Sequence, residues 1–409
     1  MNRSERPSAF VPSKSRLRWL MLGLVWLLYV SFGITSGTIA PLVGPIVDDL
    51  NMTYSQMGLV LGAWQLVYIV TAYPLGTLID RFGVRRSLGV GVFVVWLSLI
   101  LRGVAGDFPT LFLAVALFGV GGPIISIGAP KVVSLWFEGN ERGLAAGIYT
   151  TGPVTGVAIA LATAASVVMP LTGSWRGISL IYGGVVLAIM VMWWGFARDI
   201  QPHSGNAGQA SGESVSLIGT LGTLLRIRNV QVIVVLAVAT FLLNHGLNNW
   251  LPTLLQERDM TLTQAGFWTA VSTLAGAFGL LFIPLIARHG YRTMTMAVLL
   301  LLASATTVGL ATLNDTSLIG TLMISSIVRV PMMPVLTLIL METRGVGALR
   351  MGAAGGLFFA AAEIGGFGGP FLLGIIRDAT DSLGLGVLFL AVLSAVLALT
   401  LPLIREQRW

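Results

Sequence analysis

The sequence contains no cysteine, only three histidines and few charges: Asp, Glu, Lys and Arg together make 10% of it, against about 25% in ordinary soluble domains. Without cysteine, disulfides and thiolate metal sites are excluded. The histidines, His203, His245 and His289, stand at unrelated spacings and form no ligand set. A chain of 409 residues cannot cover a water-facing surface with so few charges, which excludes a soluble enzyme or binding domain. No metal cluster, nucleophile elbow or phosphate loop is legible. A membrane enzyme therefore has no chemical basis here, and no cofactor is expected.

What is abundant points to lipid. Apolar residues make 55% of the chain, with 50 glycines and 17 prolines. Small residues let membrane helices approach closely, and broken helices are tolerated where they line a cavity. The net charge of +7 and pI near 10.2 do not indicate nucleic acid. The basic residues fall in short clusters between apolar runs, with no extended basic face, and so read as topology signals.

A spanning helix needs about 20 apolar residues. Twelve such segments are predicted, near 19 to 42, 57 to 78, 87 to 105, 110 to 131, 143 to 168, 178 to 197, 229 to 252, 265 to 287, 294 to 312, 317 to 340, 351 to 375 and 384 to 404. The fold class is thus an all-α membrane protein of twelve helices in two six-helix halves. The first segment follows a basic tail and lacks a small-residue cleavage site, so it reads as an uncleaved helix. An even count puts both termini on one side. If that side is the cytoplasm, 19 of the 24 Lys and Arg lie inside, four lie outside (Arg102, Arg176, Arg258 and Arg377) and Arg329 falls within a span. This asymmetry orients the chain with both termini cytoplasmic. Trp19, Trp193, Trp194 and Trp250, near helix ends, suit interfacial anchors.

The expected organisation is a basic tail (1–18), a first half (19–197), a linker (198–228), a second half (229–404) and a short tail (405–409). The linker is Gly/Ser-rich through Gln201 to Glu213 and should be flexible; Leu217 to Arg228 could form a short interfacial helix. The halves echo each other. Ala287-Arg288-His289-Gly290-Tyr291-Arg292 repeats Asp80-Arg81-Phe82-Gly83-Val84-Arg85, and Arg350-Met351-Gly352-Ala353-Ala354-Gly355 repeats Arg142-Gly143-Leu144-Ala145-Ala146-Gly147. The offsets, 207 and 208 residues, nearly coincide. That points to an internal duplication.

Between the second and third segments stands Gly76-Thr77-Leu78-Ile79-Asp80-Arg81-Phe82-Gly83-Val84-Arg85-Arg86. It holds one carboxylate, three guanidiniums and two glycines in a link short enough to require a tight turn. The stretch resembles the signature of the major facilitator superfamily of secondary transporters, at that family's own position in the chain. The resemblance implies two pseudo-symmetric halves around a central cavity, alternating access, and a latch in which Gly76, Asp80, Arg81, Gly83, Arg85 and Arg86 hold the cytoplasmic side closed. The second copy has Ala287 in place of Asp80, so an acid-dependent latch belongs to the first half. Members of this superfamily mostly work as monomers, and the same is expected here.

Arg329 and Glu363 each lie about twelve residues into a span, where a charge costs at least about 2.5–3.5 kcal/mol. Two readings are open. In one, Arg329 attracts an anionic substrate group while Glu363 is its counter-ion or a proton carrier. In the other, they form a structural ion pair between the tenth and eleventh helices. Pro331 and Pro334 should open the tenth helix and free carbonyls for a ligand. Asn244, His245 and Asn248, with Asn249 and Trp250, crowd one part of the seventh segment; Tyr29, Gln65, Tyr68 and Tyr149 are the first-half candidates. For each of these, interhelical packing competes with ligand contact. Gly356, Gly365, Gly369-Pro370 and Gly374 resemble the antiporter signature, but in the eleventh helix rather than the fifth, and close packing accounts for them.

Gly119-Val120-Gly121-Gly122-Pro123, the stretch from Trp136 to Gly143, and Asn249-Trp250-Leu251-Pro252-Thr253-Leu254 look like the cyanate and 2-nitroimidazole porter branch. The functional expectation is a bacterial inner-membrane transporter, not an enzyme, that takes up a small anionic or polar compound with protons. The alternative is proton-coupled efflux of a lipophilic or nitroaromatic compound, with Glu363 as the exchanging carboxylate. Partners are then the lipid bilayer, the small-molecule substrate and protons, and no nucleic acid.

Overall fold

The computed structural model describes residues 14–198, 222–288 and 290–404, excepting the side chains of 14–16, 73, 76–78, 80, 140 and 347–349. The described residues are helical throughout, with twelve helices long and apolar enough to cross a membrane. These are α1 (Lys14–Gly37, continued by a 3-10 turn and Val43–Leu50), α2 (Tyr54–Phe82), α3 (Val84–Gly103), α4 (Phe108–Trp136), α5 (Gly139–Thr163, continued through a π turn to Thr172) and α6 (Trp175–Phe196). The second half holds α7 (Arg228–Gln256), α8 (Leu262–Ile286), α9 (Arg292–Thr312), α10 (Asp315–Arg329 and Met332–Met341), α11 (Gly347–Thr380) and α12 (Leu383–Ala398). The turns alternate between a Gly83 end, where the described chain also begins and ends, and an Asn51 end. The tails at 1–13 and 405–409 and most of the 198–228 linker, with its flexibility, His203 and the start of its short helix, lie outside the described residues, as does His289; residues 222–225 are helical.

Local chemistry sets the helix starts. Thr53 accepts from the Gln56 amide and Gln56 answers with its own side chain, closing a capping box at α2; Thr261 and Gln264 repeat it at α8. A capping side chain contributes about 1 kcal/mol relative to alanine. The two boxes stand 208 residues apart, the offset of the sequence repeat. The α2–α3 and α8–α9 turns agree as well: Gly83 and Gly290 have φ of 82° and 81°, a conformation that side chains with a Cβ disfavour. Arg142 donates to the carbonyl of Phe137 and Arg350 to that of Gly345, each five residues back.

Packing follows the same symmetry. In the first half α1 and α5 meet through Gly33 and Gly156, whose backbones touch; in the second, α7 and α11 meet where Gly365 and Gly369 lie against the carbonyls of Val238 and Leu242. Across the halves, Gly58 and Gly62 of α2 press on Pro370 and Phe367 of α11, and Gly266 of α8 presses on Leu161 of α5. Dispersion and hydrogen bonding, with no hydrophobic drive between helices in lipid, require this close approach. The halves are joined at the Asn51 end. There Asp378 of α11 accepts hydrogen bonds from the amides of Tyr54 (2.9 Å) and Ser55 (2.7 Å) at the start of α2.

Two anchor expectations are corrected. Trp193 and Trp250 are buried, donating to the carbonyls of Arg85 (2.9 Å) and Pro370 (2.8 Å), because a polar N–H inside the bundle must find an acceptor. Trp19 and Trp194 are exposed, as interfacial anchors would be.

Candidate functional site

The α10 helix breaks where proline requires it. Pro331 has no N–H to continue the ladder, and Arg329 is the last residue before the interruption. Its guanidinium is fully buried. Nε donates to Ser325 Oγ (3.0 Å), Nη1 to Asn244 Oδ1 (3.2 Å), and both Nη atoms to Asn248 Oδ1 (3.4 Å each). Asn244 returns a bond from Nδ2 to the Arg329 carbonyl (3.4 Å), so this carbonyl serves the asparagine instead of standing free for a ligand. Every acceptor is neutral. The guanidinium is solvated by dipoles, and its charge stays uncompensated.

Among the described residues no ion pair joins Arg329 to Glu363, which corrects the expectation of a counter-ion or structural pair. Arg329 turns to α7. Glu363, also buried, lies over Gly366 of its own helix, which Gln65 and His245 approach from α2 and α7. Its Oε2 has no hydrogen-bond partner. The Gln65 amide donates to His245 Nδ1 (3.0 Å), a contact that crosses between the halves. His245 is also packed against Trp64 and Phe241, at ring separations of 6.0 and 5.0 Å.

A central cavity of about 280 Å³ lies between the halves. Ser36, Trp64, Val157 and Leu161 line it from the first half; His245, Asn248, Asn249, Thr269, Thr273 and Ser326 line it from the second. Of the nine residues expected at the site, His245 and Asn248 reach its wall. Gln65 is linked to it through His245, Arg329 through Asn248, and Asn244 through Arg329. A larger groove of about 450 Å³, between α2, α3 and α4, is lined mostly by apolar side chains of one half, Leu75, Ile79 and Val90 among them, with Arg86 and Ser87. We place the candidate site in the smaller cavity, because both halves build it and hydrogen-bonding groups converge there.

The tyrosines gather behind the first-half wall of the cavity, where Tyr68 packs on Trp64 (6.2 Å) and Tyr29 on Phe32 (6.4 Å). Tyr29 donates to the Ser126 carbonyl (3.1 Å), Tyr68 meets the Ser126 hydroxyl (3.1 Å), and Tyr149 packs edge-on against Tyr29 at 5.3 Å. In the motif at the Gly83 end, Arg85 donates to the Trp194 carbonyl (3.0 Å), Arg81 lies over Phe82, and Arg86 is exposed. Gly76 and Asp80 are in α2, but their side chains lie outside those described. Among the described residues no group of His, Asp and Glu could hold a metal ion.

Arg102, expected as a charge at an outer helix end, is a buried residue of the first half. It is 1% exposed. Nη1 donates to the Thr35 carbonyl (2.7 Å), whereas Nε and Nη2 have no partner. The signal was available: Leu88, Val92, Val95, Leu99 and Arg102 alternate spacings of four and three on one buried face of α3, and a residue continuing such a stripe points inward.

A model of the Major Facilitator Superfamily matches residues 25–370. The chain belongs to this superfamily. The whole chain shares its fold with a bacterial homologue of the human lysosomal transporter Spinster, solved in an inward-facing, occupied conformation: over 96% of this chain and 99% of that one, the TM-score is 0.82 at 14% identity. The chain is 26% identical to the Hexuronate transporter of Bacillus subtilis (strain 168), over 89% of this chain and 88% of that protein. It is also 26% identical to the Probable L-galactonate transporter of Escherichia coli (strain K12), where the alignment spans 57% of this chain and about half, 53%, of the relative. Superfamily membership makes the protein a transporter of small solutes and not an enzyme. These relatives are named for sugar acids, which corrects the expectation of a cyanate and 2-nitroimidazole porter. Most residues of the motifs behind that expectation serve packing: Gly119 and Gly121 meet the backbones of Trp64 and Gly91, and Arg142 binds carbonyls at the end of α4, whereas Asn249 lines the cavity.

Proposed function

We propose that the chain takes up a small organic anion, with sugar acids as the first class to test, together with a proton. Its halves, 19–197 and 229–404, alternate about the central cavity and act within one monomer. The observation that carries this reading is Arg329. It is a buried guanidinium held only by neutral acceptors, one side chain behind the cavity wall. A carboxylate drawn to Asn248 supplies the charge that the protein leaves out. Sugar hydroxyls find partners in Ser36, Asn249, Thr269 and Thr273. That polar wall and the names of the relatives favour an anion over a lipophilic or nitroaromatic efflux substrate.

Glu363 serves as the proton carrier. A proton on its unpartnered Oε2 removes a buried charge that no ion pair offsets, and Gln65 and His245 beside it connect the two halves. The latch of Asp80 with Arg81, Arg85 and Arg86 belongs to the Gly83 end. The 19-to-4 split of basic residues supports placing that end and both termini in the cytoplasm, and the membrane is the bacterial inner membrane.

The test is uptake of D-glucuronate into proteoliposomes under an inward proton gradient. Losing hydrogen bonds to a charged group costs about 1.5–3 kcal/mol each, so Arg329→Gln should slow uptake at least about tenfold. Full uptake by a folded Arg329→Gln protein would overturn the role of Arg329, and absence of uptake of every sugar acid by wild type would overturn the substrate class.

A further inference from the structure

We infer that Arg102 forms a second carboxylate-binding site, on the first-half side of the cavity; this rests on the organic-anion reading above. Its guanidinium is buried among α1, α3 and α4, with Nη1 fixed on the Thr35 carbonyl and the ring of Phe118 5.8 Å from its central carbon. The two nitrogens without partners, Nε and Nη2, share one edge of the guanidinium. That edge is the fork that binds both oxygens of a carboxylate. The bond from Nη1 to the Thr35 carbonyl fixes the free edge in orientation.

Arg102 borders a small cleft of about 10 Å³, lined also by Thr35, Ser36, Leu61, Trp64, Val115 and Asn249. Three of these, Ser36, Trp64 and Asn249, also line the central cavity, so the two spaces are neighbours, and the cleft has to widen to admit a carboxylate. Among the described residues no carboxylate forms an ion pair with Arg102. A buried guanidinium with two idle donors is costly to maintain, and an arginine kept only for packing would be expected to have its donors satisfied.

Position gives the site its role. Arg102 is in the last turn of α3 before the Asn51 end, whereas Arg329 lies 14 residues beyond Asp315, the first residue of α10 at that end, about 21 Å deep at 1.5 Å per residue. Arg102 belongs to the first half and Arg329 to the second. An anion entering from the Asn51 end meets Arg102 first and Arg329 deeper, and a substrate with a carboxylate at each end can engage one guanidinium from each half.

Calorimetric titration of the full-length protein in nanodiscs tests this, with D-glucuronate, D-galactarate and uncharged D-glucose as probes. Arg102→Gln should lose about 10- to 100-fold in affinity for both anions, the effect of removing charge-assisted hydrogen bonds, with no change toward D-glucose. Arg102→Lys keeps the charge without the fork and should recover part of the loss; it carries the test alone if Arg102→Gln does not fold. D-Galactarate should lose more than D-glucuronate. Unchanged anion affinity in folded Arg102→Lys and Arg102→Gln, with binding still sensitive to Arg329→Gln, overturns the second site and leaves the organic-anion reading intact. Absence of anion binding by wild type overturns both.

Discussion

Replacing Asp378 by asparagine should loosen the seam that joins the halves at the Asn51 end. The carboxylate of Asp378, on α11, sits across the start of α2 and accepts from the Tyr54 and Ser55 amides and from the Ser55 hydroxyl. Those amides belong to a helix N-terminus, with no partners inside the helix and the positive end of the helix dipole behind them. Arg377 reinforces the contact: its guanidinium lies 4.7 Å from the centre of the Tyr54 ring and pairs with Glu257 (2.7 Å). Asparagine preserves shape and one acceptor but removes the charge and turns an NH2 group toward the donors. A carboxylate at a helix N-terminus contributes about 0.3–1 kcal/mol, up to roughly 2 when partly buried. Asp378 is exposed on its outer side, so a loss of about 1 kcal/mol is expected, enough to change a two-state ratio about fivefold. Because the chain has no cysteine, spin labels can be introduced at Val104 and Leu313, both exposed near that end, without removing native thiols. Pulsed dipolar spectroscopy should show Asp378→Asn enriched in longer distances. The control Asp381→Asn removes a carboxylate that is 98% exposed, and should leave the distribution unchanged. A distribution in Asp378→Asn identical to wild type would mean that this carboxylate does not hold the halves together.

Gly365→Ala should lower thermal stability by about 1–3 kcal/mol, since the new Cβ would meet the Val238 carbonyl on α7, whereas Gly368→Ala, with open space around it, should melt like wild type. Trp250→Phe removes the donor to the Pro370 carbonyl and should cost about 1 kcal/mol, read from the same melting curves. If Glu363 carries the proton, Glu363→Gln should abolish the rise of D-glucuronate uptake with falling external pH while leaving D-glucuronate binding in place; uptake that keeps the wild-type pH profile would refute this.

Much of the architecture was legible because membrane helices announce themselves by length and hydropathy. The duplication was legible in two short repeats, and the structure adds to it matching glycine turns at Gly83 and Gly290 and matching capping boxes at Thr53 and Thr261. Proline at 331 signalled the break in α10. The candidate site was less legible. Arg329 and Glu363 stood out as charges at depth, but equal depth does not determine direction, and the two face different neighbours. Arg102 was hidden by its nearness to a helix end, since counting residues along a segment does not reveal that the end is covered by α1. Trp250 was misread for the same reason.

The twelve spans, the internal repeat and the residues whose charge is too costly to bury without purpose follow from the order of residues, because these depend on composition, spacing and the solvation of single side chains. Only the packed helices settle which buried charge meets which dipole: that Arg329 is held by asparagines and not by Glu363, that Gln65 reaches His245 across the halves, and that Arg102 is buried with Nε and Nη2 unpartnered. Such partnerships depend on how helices distant in sequence rotate and cross, which close glycine contacts set only when all twelve are packed together.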